Sequence, residues 1–402
     1  MKFTLALLIT LLTLNAFSQD SFITIQGTVA GRQSKEFIPL ASIYIKGKSI
    51  GTTTNEEGRF VFHVPSAFSD ETLVISVMGY KNFENKVSQM AGRLNAVVLE
   101  QNVILLKEVT INASKKELTG KDIVKKAVAR IPENYPMTPF RIDGFFRDLQ
   151  KENDKPVALL EAAIKLYYRD YNPGYEEVEI LEVRKSFNKR HPVNGTYDRQ
   201  NSIFDLMEDN YIKHRFGPID VKGWKFTIDS MLTYNGRTTY KVSGVRSQFV
   251  SAVMWIDTDD FAILRLEFRE QMVNGVYSRR FLNLPDPYGQ QQTSFLMVFE
   301  YQEIGGKMYL KYQREEDTYN LFNKTTNEII LRQSYLKELF VNNVVPGGEG
   351  QPTAHRMNIG RSVEGQAGSF NAEFWKHYNA PVETSKDSRI GAELEGMEFR
   401  NE

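Results

Sequence analysis

The amino-acid sequence predicts a mainly β protein, in which an N-terminal β-sandwich is followed by a curled, half-barrel-like antiparallel sheet with a few helices. Three observations predict this fold class. Aromatic residues make up 12% of the 402 residues and 27 residues are glycine, which suits strands that pack bulky side chains and turns that need glycine. Many short segments alternate apolar and polar residues. Polar turns join these segments in succession, as in an antiparallel meander.

The chain is long enough for two separate hydrophobic cores. Composition and patterning divide it into five segments. These are a signal peptide at 1–18, a β-sandwich at 19–112, a linker at 113–118, a curled antiparallel sheet with an N-terminal helix at 119–345, and an irregular tail with a short aromatic helix at 346–402.

The first 18 residues have the pattern of a secretory signal peptide. Lys2 precedes the apolar run 3–14, and Ala16 and Ser18 are small residues before an expected cut ahead of Gln19. An N-terminal membrane anchor would need about 20 apolar residues, and no later segment is apolar enough to span a membrane as a helix. We expect export to the periplasm or the periphery of the outer membrane. Because the chain has no cysteine, a lipoprotein, a disulfide and a thiolate metal site are excluded.

The charge balance indicates which partners to expect. The chain has 50 basic and 50 acidic residues, so it has no overall field that would attract a polyanion. Nucleic acid is therefore not an expected partner.

The predicted sandwich is organised around residues 51–80. Residues 60–64 and 73–77 alternate as two strands with one face in a core. The segment from Asn55 to Gly58 fits a type I turn, with an Asx side chain first and glycine fourth. Further strands are predicted at 23–29, 41–46, 94–99 and 103–111.

The same region resembles a known family. The pattern consists of Ile25-x-Gly27-x-Val29, Pro39-Leu40-Ala41-x-Ile43-x-Ile45, Gly51-Thr52-x-Thr54-Asn55-x-x-Gly58-x-Phe60 and Ile75-Ser76-x-x-Gly79-Tyr80. It resembles the carboxypeptidase regulatory-like domain, which is common in envelope proteins of Bacteroidota and at the N-terminus of their TonB-dependent receptors. The resemblance implies a transthyretin-like sandwich of about seven strands that is not itself catalytic.

A second resemblance concerns the C-terminal part. It is carried by the segment from Ile123 to Tyr135, Gly144-Phe145-Phe146-Arg147, Glu161-Ala162 and Tyr168. These residues resemble uncharacterised envelope proteins of the same bacteria, and the resemblance implies no activity.

An amphipathic helix is predicted to begin the C-terminal part. Thr119 can cap it, Asp122 completes a capping box and Pro132 should end it. Its apolar stripe should dock on a sheet. Residues 160–168 alternate like a strand, although their composition favours a helix by propensity, and residues 176–187 alternate as well.

Four hairpins are predicted downstream of a long excursion at 188–223. Their strands are 225–232 with 237–245 around Asn235-Gly236, 252–256 with 261–268, 295–303 with 307–315, and 317–323 with 328–339. The hairpin that contains Trp255-Ile256-Asp257 and Ile263-x-Arg265 is similar in texture to those of periplasmic lipoprotein-carrier half-barrels, which is a fold analogy alone. An aromatic helix is predicted near Phe374.

The sequence contains no recognisable catalytic or metal-binding motif. The five histidines are scattered without the His–Glu spacing of a zinc carboxypeptidase, and His63 is expected to face solvent. The run from Asp257 to Asp260 resembles a calcium loop, but Ala262 and Phe268 stand where glycine and glutamate are needed. No Gly-x-Ser-x-Gly motif presents a nucleophile. We therefore expect no enzymatic activity, no metal and no cofactor.

A candidate ligand cavity is predicted on the concave face of the curled sheet. Its residues are Trp224, Phe226, Trp255, Phe261, Phe299, Tyr309 and Glu161, with Phe295 and Tyr312 nearby. Either the helices at 119–131 and near Phe374 fill the hollow, or part of it stays open for a lipid-like or aromatic ligand. Glu161 either faces a cavity or faces solvent opposite Lys165.

Taken together, these features predict an exported, non-enzymatic envelope protein that acts as a binding or interaction module. Two alternatives remain open. The protein could be an accessory subunit of a TonB-dependent uptake system, with the receptor as its partner, or a carrier of a hydrophobic small molecule.

Overall fold

The structure, a computed structural model, describes most of the chain. The described residues are 22–104, 118–171, 177–186, 189–191, 221–234, 236–272, 281–282, 284, 286–347, 356–357, 363, 366 and 371–384. The predicted signal peptide, nearly all of the linker, most of the excursion at 188–223 and residues 385–402 lie outside this set.

Seven strands at the N-terminus form a two-layer sandwich, as predicted. They are β1 (Phe22–Gly31), β2 (Ser42–Ile45), β3 (Gly51–Thr53), β4 (Arg59–Pro65), β5 (Thr72–Ser76), β6 (Phe83–Lys86) and β7 (Leu94–Leu99), with a short helix α1 (Val87–Met90). One sheet has the order β4-β1-β7 and the other β3-β2-β5-β6. The alternating residues Phe60, Phe62 and Val64 are buried between the layers, so the period-two pattern marks the core.

The turn at Asn55 to Gly58 sets the start of β4. The Asn55 carbonyl accepts a hydrogen bond from Gly58 N at 3.0 Å. The Asn55 side-chain oxygen accepts from Glu57 N at 3.0 Å and from Arg59 N at 2.8 Å. Gly58 has a φ of +66°, and a Cβ there would lie 2.7 Å from the Val29 carbonyl oxygen. Glycine is therefore required at this position.

Twelve strands form one large open sheet. They are β8 (Val103–Ile104), β9 (Phe140–Glu152), β10 (Lys155–Tyr168), β11 (Glu177–Lys185), β12 (Lys225–Tyr234), β13 (Arg237–Val245), β14 (Val250–Asp257), β15 (Ile263–Gln271), β16 (Phe281–Leu282), β17 (Tyr288–Ile304), β18 (Lys307–Asn323) and β19 (Ile329–Pro346). The order is β11-β10-β9-β19-β18-β17-β15-β14-β13-β12-β8, and β16 pairs with β17. Because β19 returns to pair with β9, the first and last long strands lie side by side in the sheet.

One face of the large sheet packs on helices, and we call it the helix face. It carries Phe146, Phe299 and Leu339 in one buried cluster with helix α2 (Gly120–Ala129). The predicted capping box is present, because the Thr119 hydroxyl accepts from Asp122 N and Asp122 accepts from Thr119 N. A short helix α3 (Ile131–Asn134) follows, with Pro132 in its first turn, where a missing N–H is tolerated.

The opposite face lies against the sandwich, and we call it the sandwich face. Ser49 donates a hydrogen bond to the Asn343 side-chain oxygen at 2.8 Å, and the Asn343 amide donates to Asp143 at 2.9 Å. Leu40 packs on the buried side chains of Phe145 and Phe340. The two faces of the sheet therefore have different neighbours.

Two predicted features differ from the structure. Strand β8 was expected to close the sandwich, but it pairs with Met231 and Leu232 of β12 at the edge of the large sheet. Residues 307–315 and 317–323 were expected to be separate strands, but β18 runs without a break. The charged run Arg314-Glu315-Glu316-Asp317 lies within this continuous strand. The predicted turn between β17 and β18 is present, at Gly305 and Gly306.

Candidate functional site

A cleft of about 570 Å³ opens between the sandwich, the sandwich face and the C-terminal tail. Strands β9, β10, β18 and β19 form its floor, and tail residues Pro381 and Thr384 and the sandwich residues Pro39, Leu40 and Asn55 form its walls. This volume lies within the range of about 300–1,000 Å³ that small-molecule sites usually have. We take the cleft as the candidate functional site.

Three leucines form an apolar patch on the floor of the cleft. Leu149 and Leu159 are buried and Leu336 packs against them. The pairing of the strands explains their contact, because Leu149 lies opposite both Leu159 on β10 and Leu336 on β19. These side chains give the cleft a surface for an apolar group.

A row of alternating charges crosses five strands beside the leucines. Each member lies opposite the next in the strand pairing, in the order Arg184, Glu161, Arg147, Glu338 and Arg314. Opposite charges at directly paired positions stabilise a sheet. The row therefore fixes the register of β11, β10, β9, β19 and β18 on the floor of the cleft.

Glu161 is the most deeply buried member of this row. Its side chain is 1% exposed, and it accepts hydrogen bonds from Arg147 Nε at 2.8 Å and Arg184 Nε at 2.5 Å. Burial by itself raises the pKa of a carboxyl, but the two guanidinium groups outweigh it and hold the pKa of Glu161 below its ordinary value. Glu161 is therefore an ionised structural partner of two arginines.

Glu338 and Arg314 complete the row next to an aromatic group. The Tyr312 hydroxyl donates to Glu338 at 2.6 Å, and Arg314 contacts Glu338 at 3.8 Å and also Glu316. Burial and then the neighbouring Glu338 raise the pKa of Tyr312 well above its ordinary value, so the phenol stays protonated and donates. Glu338 and Arg314 are therefore already paired within the protein. The apolar patch is the part of the floor that a ligand can cover without breaking an ion pair.

Helix α4 (Ala372–His377) of the tail packs on the sandwich face, and the tail residues Pro381 and Thr384 that follow it line the cleft. Trp375 lies 4.6 Å from the Arg184 guanidinium and packs edge-on against Phe145. The Tyr378 hydroxyl donates to the Gly144 carbonyl oxygen at 2.7 Å. The aromatic helix therefore packs on the sandwich face, the face opposite to α2.

The aromatic residues predicted to line a ligand cavity fall on both faces of the sheet. On the helix face, a buried cluster with α2 contains Trp224, Phe261, Phe299 and Tyr309, with Phe226 and Phe295 packed against it. Ile123, Val124 and Ala127 of α2 are fully buried there. These six aromatic side chains form part of a packed hydrophobic core. That they line a ligand cavity stays a prediction.

Trp255 and Tyr312 lie on the sandwich face, away from α2. Trp255 pairs with Arg265 and Lys241 across the sheet, and both cations lie over its ring at 5.4 and 5.9 Å. Glu161 lies on the same face and meets neither expected alternative, because Arg147 and Arg184 enclose it. His63, expected to face solvent, is half-buried beside His377 of the tail.

Only part of this site could be predicted from the sequence. Arg147, Glu161 and Arg314 are visible as charges within alternating strands. Their place in one row depends on the pairing of β9 with β19, whose paired residues lie nearly 200 positions apart. The leucine patch depends on the same pairing. A prediction of strand order would have found both.

Metal-ligand groups and membrane-spanning helices were sought in the described part of the chain. It contains no group of three or more His, Cys, Asp or Glu side chains placed to hold a metal ion. It also contains no helix with the length and apolarity needed to cross a membrane. The expectation of no catalytic group and no cofactor stays a prediction.

Comparison with known families concerns the N-terminal sandwich. Residues 25–111 match the CarboxypepD_reg-like domain family. The match confirms the resemblance seen in the glycine, threonine and aromatic pattern of this region. No curated protein matched the chain.

Several solved structures are similar to the chain at low identity. A DUF1329 family protein from Desulfovibrio piger is 9% identical over 58% of this chain and 96% of its own, with a TM-score of 0.25. A LolA superfamily protein from Nitrosomonas europaea is 10% identical over 59% of this chain and 96% of its own, with a TM-score of 0.20. A chain of the MucA/MucB complex of Pseudomonas aeruginosa is 10% identical over 57% of this chain and 99% of its own, with a TM-score of 0.18. Values at this level say nothing about ligand or activity.

Proposed function

We propose that the protein is a non-enzymatic binding module of the cell envelope that holds an apolar or amphipathic small molecule in the cleft. The observation that carries this proposal is the patch of Leu149, Leu159 and Leu336 on the floor of a cleft of about 570 Å³. Export by the segment 1–18 is part of the proposal and rests on the sequence pattern alone.

The energetics of the cleft favour an apolar ligand body. Burying about 200 Å² of apolar ligand surface at about 25 cal/mol per Å² contributes about 5 kcal/mol before the entropic cost of association. Arg147, Arg314 and Glu338 are held in the cross-strand row, so they frame the apolar patch without leaving an unpaired charge for a ligand to neutralise. The hydroxyl-bearing side chains Thr318 and Ser334 also line the cleft and can bond a polar end of the ligand.

The function is tested by narrowing the cleft. Leu336 is half-buried on the floor, and Leu336→Trp would fill space where the ligand body should lie. Freshly purified protein is examined by native mass spectrometry, and binding of N-phenyl-1-naphthylamine and of fatty acids is followed by fluorescence. We expect saturable binding by the wild type and at least about ten-fold weaker binding by Leu336→Trp, the loss of about 1.4 kcal/mol.

A matched control separates the cleft from general surface binding. Val245→Trp adds the same side chain at an exposed strand position and should leave probe binding unchanged. Equal binding by the wild type and Leu336→Trp would move the ligand away from the cleft. Absence of saturable binding in the wild type would leave a module that recognises another protein.

A further inference from the structure

A second cavity of about 300 Å³ lies between the sandwich and the large sheet, and it shares no lining residue with the cleft. Tyr44 and Lys48 line it from the sandwich. Tyr234 of β12 and Lys311 of β18 line it from the large sheet. Because both parts of the protein contribute polar groups, anything bound there would contact both.

Lys311 is the central polar group of this second cavity. Its side chain is 5% exposed, and it is the additional residue at an irregularity in the pairing of β17 with β18, where Glu300 faces Tyr312 and Tyr301 faces Leu310. Such a bulge re-aims a side chain that a regular strand would point elsewhere. The bulge thus accounts for a buried ammonium group at the wall of a cavity.

Lys311 is charged in spite of its burial. Burial by itself lowers the pKa of a lysine, but Tyr234 and the Glu300 carboxylate outweigh this effect and raise the pKa of Lys311. Glu300 accepts from Lys311 Nζ at 3.2 Å and is shared with Arg265. An ammonium group has three donor hydrogens, and among the described residues only Glu300 is hydrogen-bonded to Lys311 Nζ. Donor hydrogens are therefore left for a further acceptor.

The two tyrosines add neutral donors beside Lys311. Burial, followed by the influence of Tyr234, raises the pKa of Tyr44 to about 12, so its phenol keeps its proton. The Tyr234 phenol lines the same cavity and has one O–H hydrogen to donate. An ammonium and two phenols with donor capacity at one cavity match the needs of an anionic oxygen.

We propose that this second cavity binds a small oxyanion, a carboxylate or a phosphate, through Lys311, Tyr44 and Tyr234. Lys48 also lines the wall, with a side chain that is 41% exposed and paired with Glu71 at 3.5 Å. Arg237 also lines the cavity, but its guanidinium is engaged by Asp257, Asp260 and Glu303, so it shapes the wall. The bound oxyanion links β2 of the sandwich to the β17–β18 hairpin.

The proposal is tested by anion titration of the whole chain. Isothermal titration calorimetry and thermal melting are run with phosphate, acetate and succinate against chloride at matched ionic strength. The phosphate and carboxylate arms identify which oxyanion is preferred. We expect saturable binding and a raised melting temperature with at least one of them in the wild type, and a loss of at least about ten-fold in affinity in Tyr44→Phe and in Lys311→Gln.

Two controls make the outcome specific. Lys46→Gln removes an exposed cation paired with Glu84 on the same sandwich surface and should bind as the wild type does. Leu336→Trp should also keep oxyanion binding, because the cleft is separate. Tyr44→Phe removes one hydroxyl and keeps the ring, so it tests the site even where Lys311→Gln unfolds. Binding that is absent in the wild type, or equal in Tyr44→Phe and Lys46→Gln, overturns the proposal.

Discussion

The side-chain amide of Asn379 bonds both backbone groups of His63. Asn379 Oδ1 accepts from His63 N at 2.8 Å, and Asn379 Nδ2 donates to His63 O at 3.2 Å. His63 lies on β4, an edge strand of the sandwich, so the amide bonds the groups that a neighbouring strand would otherwise pair. Farther along, the Val382 carbonyl accepts from Asn55 at 3.0 Å, while Tyr378 is bonded to the large sheet. The tail therefore fastens the sandwich to the sheet beside the cleft.

We predict that Asn379→Ala loosens this attachment. Two hydrogen bonds are lost, and each contributes about 0.5–1.5 kcal/mol. Hydrogen exchange should show faster exchange of the His63 amide, and a protease should cut residues 371–384 sooner. Asn85→Ala, which removes a local bond to Lys86 N on β6, is the control and should leave the tail protected. Unchanged exchange at His63 would mean that the other contacts of the tail, those of Trp375, Tyr378 and Val382, hold it in place.

The sequence predicted the strands of the fold better than their neighbours in space. Phe60, Phe62 and Val64 alternate, and burial of one face of a strand follows directly from that period. Docking of the tail on β4 depends on Asn379, and an isolated asparagine after a short helix resembles any loop residue. Likewise, the side of the sheet that α4 covers depends on the contact of Trp375 with Arg184 of β11. This contact joins a helix and a strand that are distant in sequence, and periodicity does not encode it.

We predict that stability falls as the pH drops below neutrality because of His63. Burial, and then the proximity of His377, lower the pKa of His63, while the unfolded chain titrates near about 6.5. The unfolded state therefore takes up its proton first. The contribution is complete above about pH 6.5 and is lost as the pH falls through the lowered folded pKa. Thermal melts between pH 7.5 and 5 should show this fall, and His63→Gln should show a smaller one.

A second variant separates the effect of His377 on the pKa of His63 from the effect of burial. His377→Gln removes the second cause of the lowered pKa while the burial of His63 remains, so the pKa of His63 followed by NMR should rise towards its ordinary value. Equal pKa values for His63 in the wild type and His377→Gln would contradict the assigned cause.

We predict that Glu161→Gln strongly destabilises the large sheet. The substitution leaves Arg147 and Arg184, which are 11% and 15% exposed, without their shared carboxylate. Removal of one partner of a buried ion pair usually costs about 3–5 kcal/mol. Urea unfolding should give a loss of this size. Glu84→Gln, which breaks the exposed pair with Lys46, is the control and should change stability by less than about 1 kcal/mol.

The charged row also shows what could be known of the site in advance. Glu161 was recognised as a carboxylate on a mostly apolar strand, and both expected environments followed from considering β10 alone. The side chains that surround Glu161 come from β11 on one side of β10 and from β9 on the other. In a sheet, the partners of a side chain come from strand order and register, and these are properties of the whole chain.

The last prediction concerns Gln313, which is fully buried in an apolar row of the helix face. It lies opposite Phe299 on β17 and Leu339 on β19, and neither of its side-chain amide atoms has a hydrogen-bond partner among the described residues. An unsatisfied buried polar group costs about 1–3 kcal/mol, so Gln313→Met, of similar volume, should raise the free energy of unfolding by about that amount in urea melts. Gln290→Met is the contrasting control, because Gln290 donates to Gln333 at 2.6 Å and its replacement should destabilise. If Gln313→Met also destabilises, the amide holds a water or a ligand in the native protein, and the helix face then contains the polar end of a binding site.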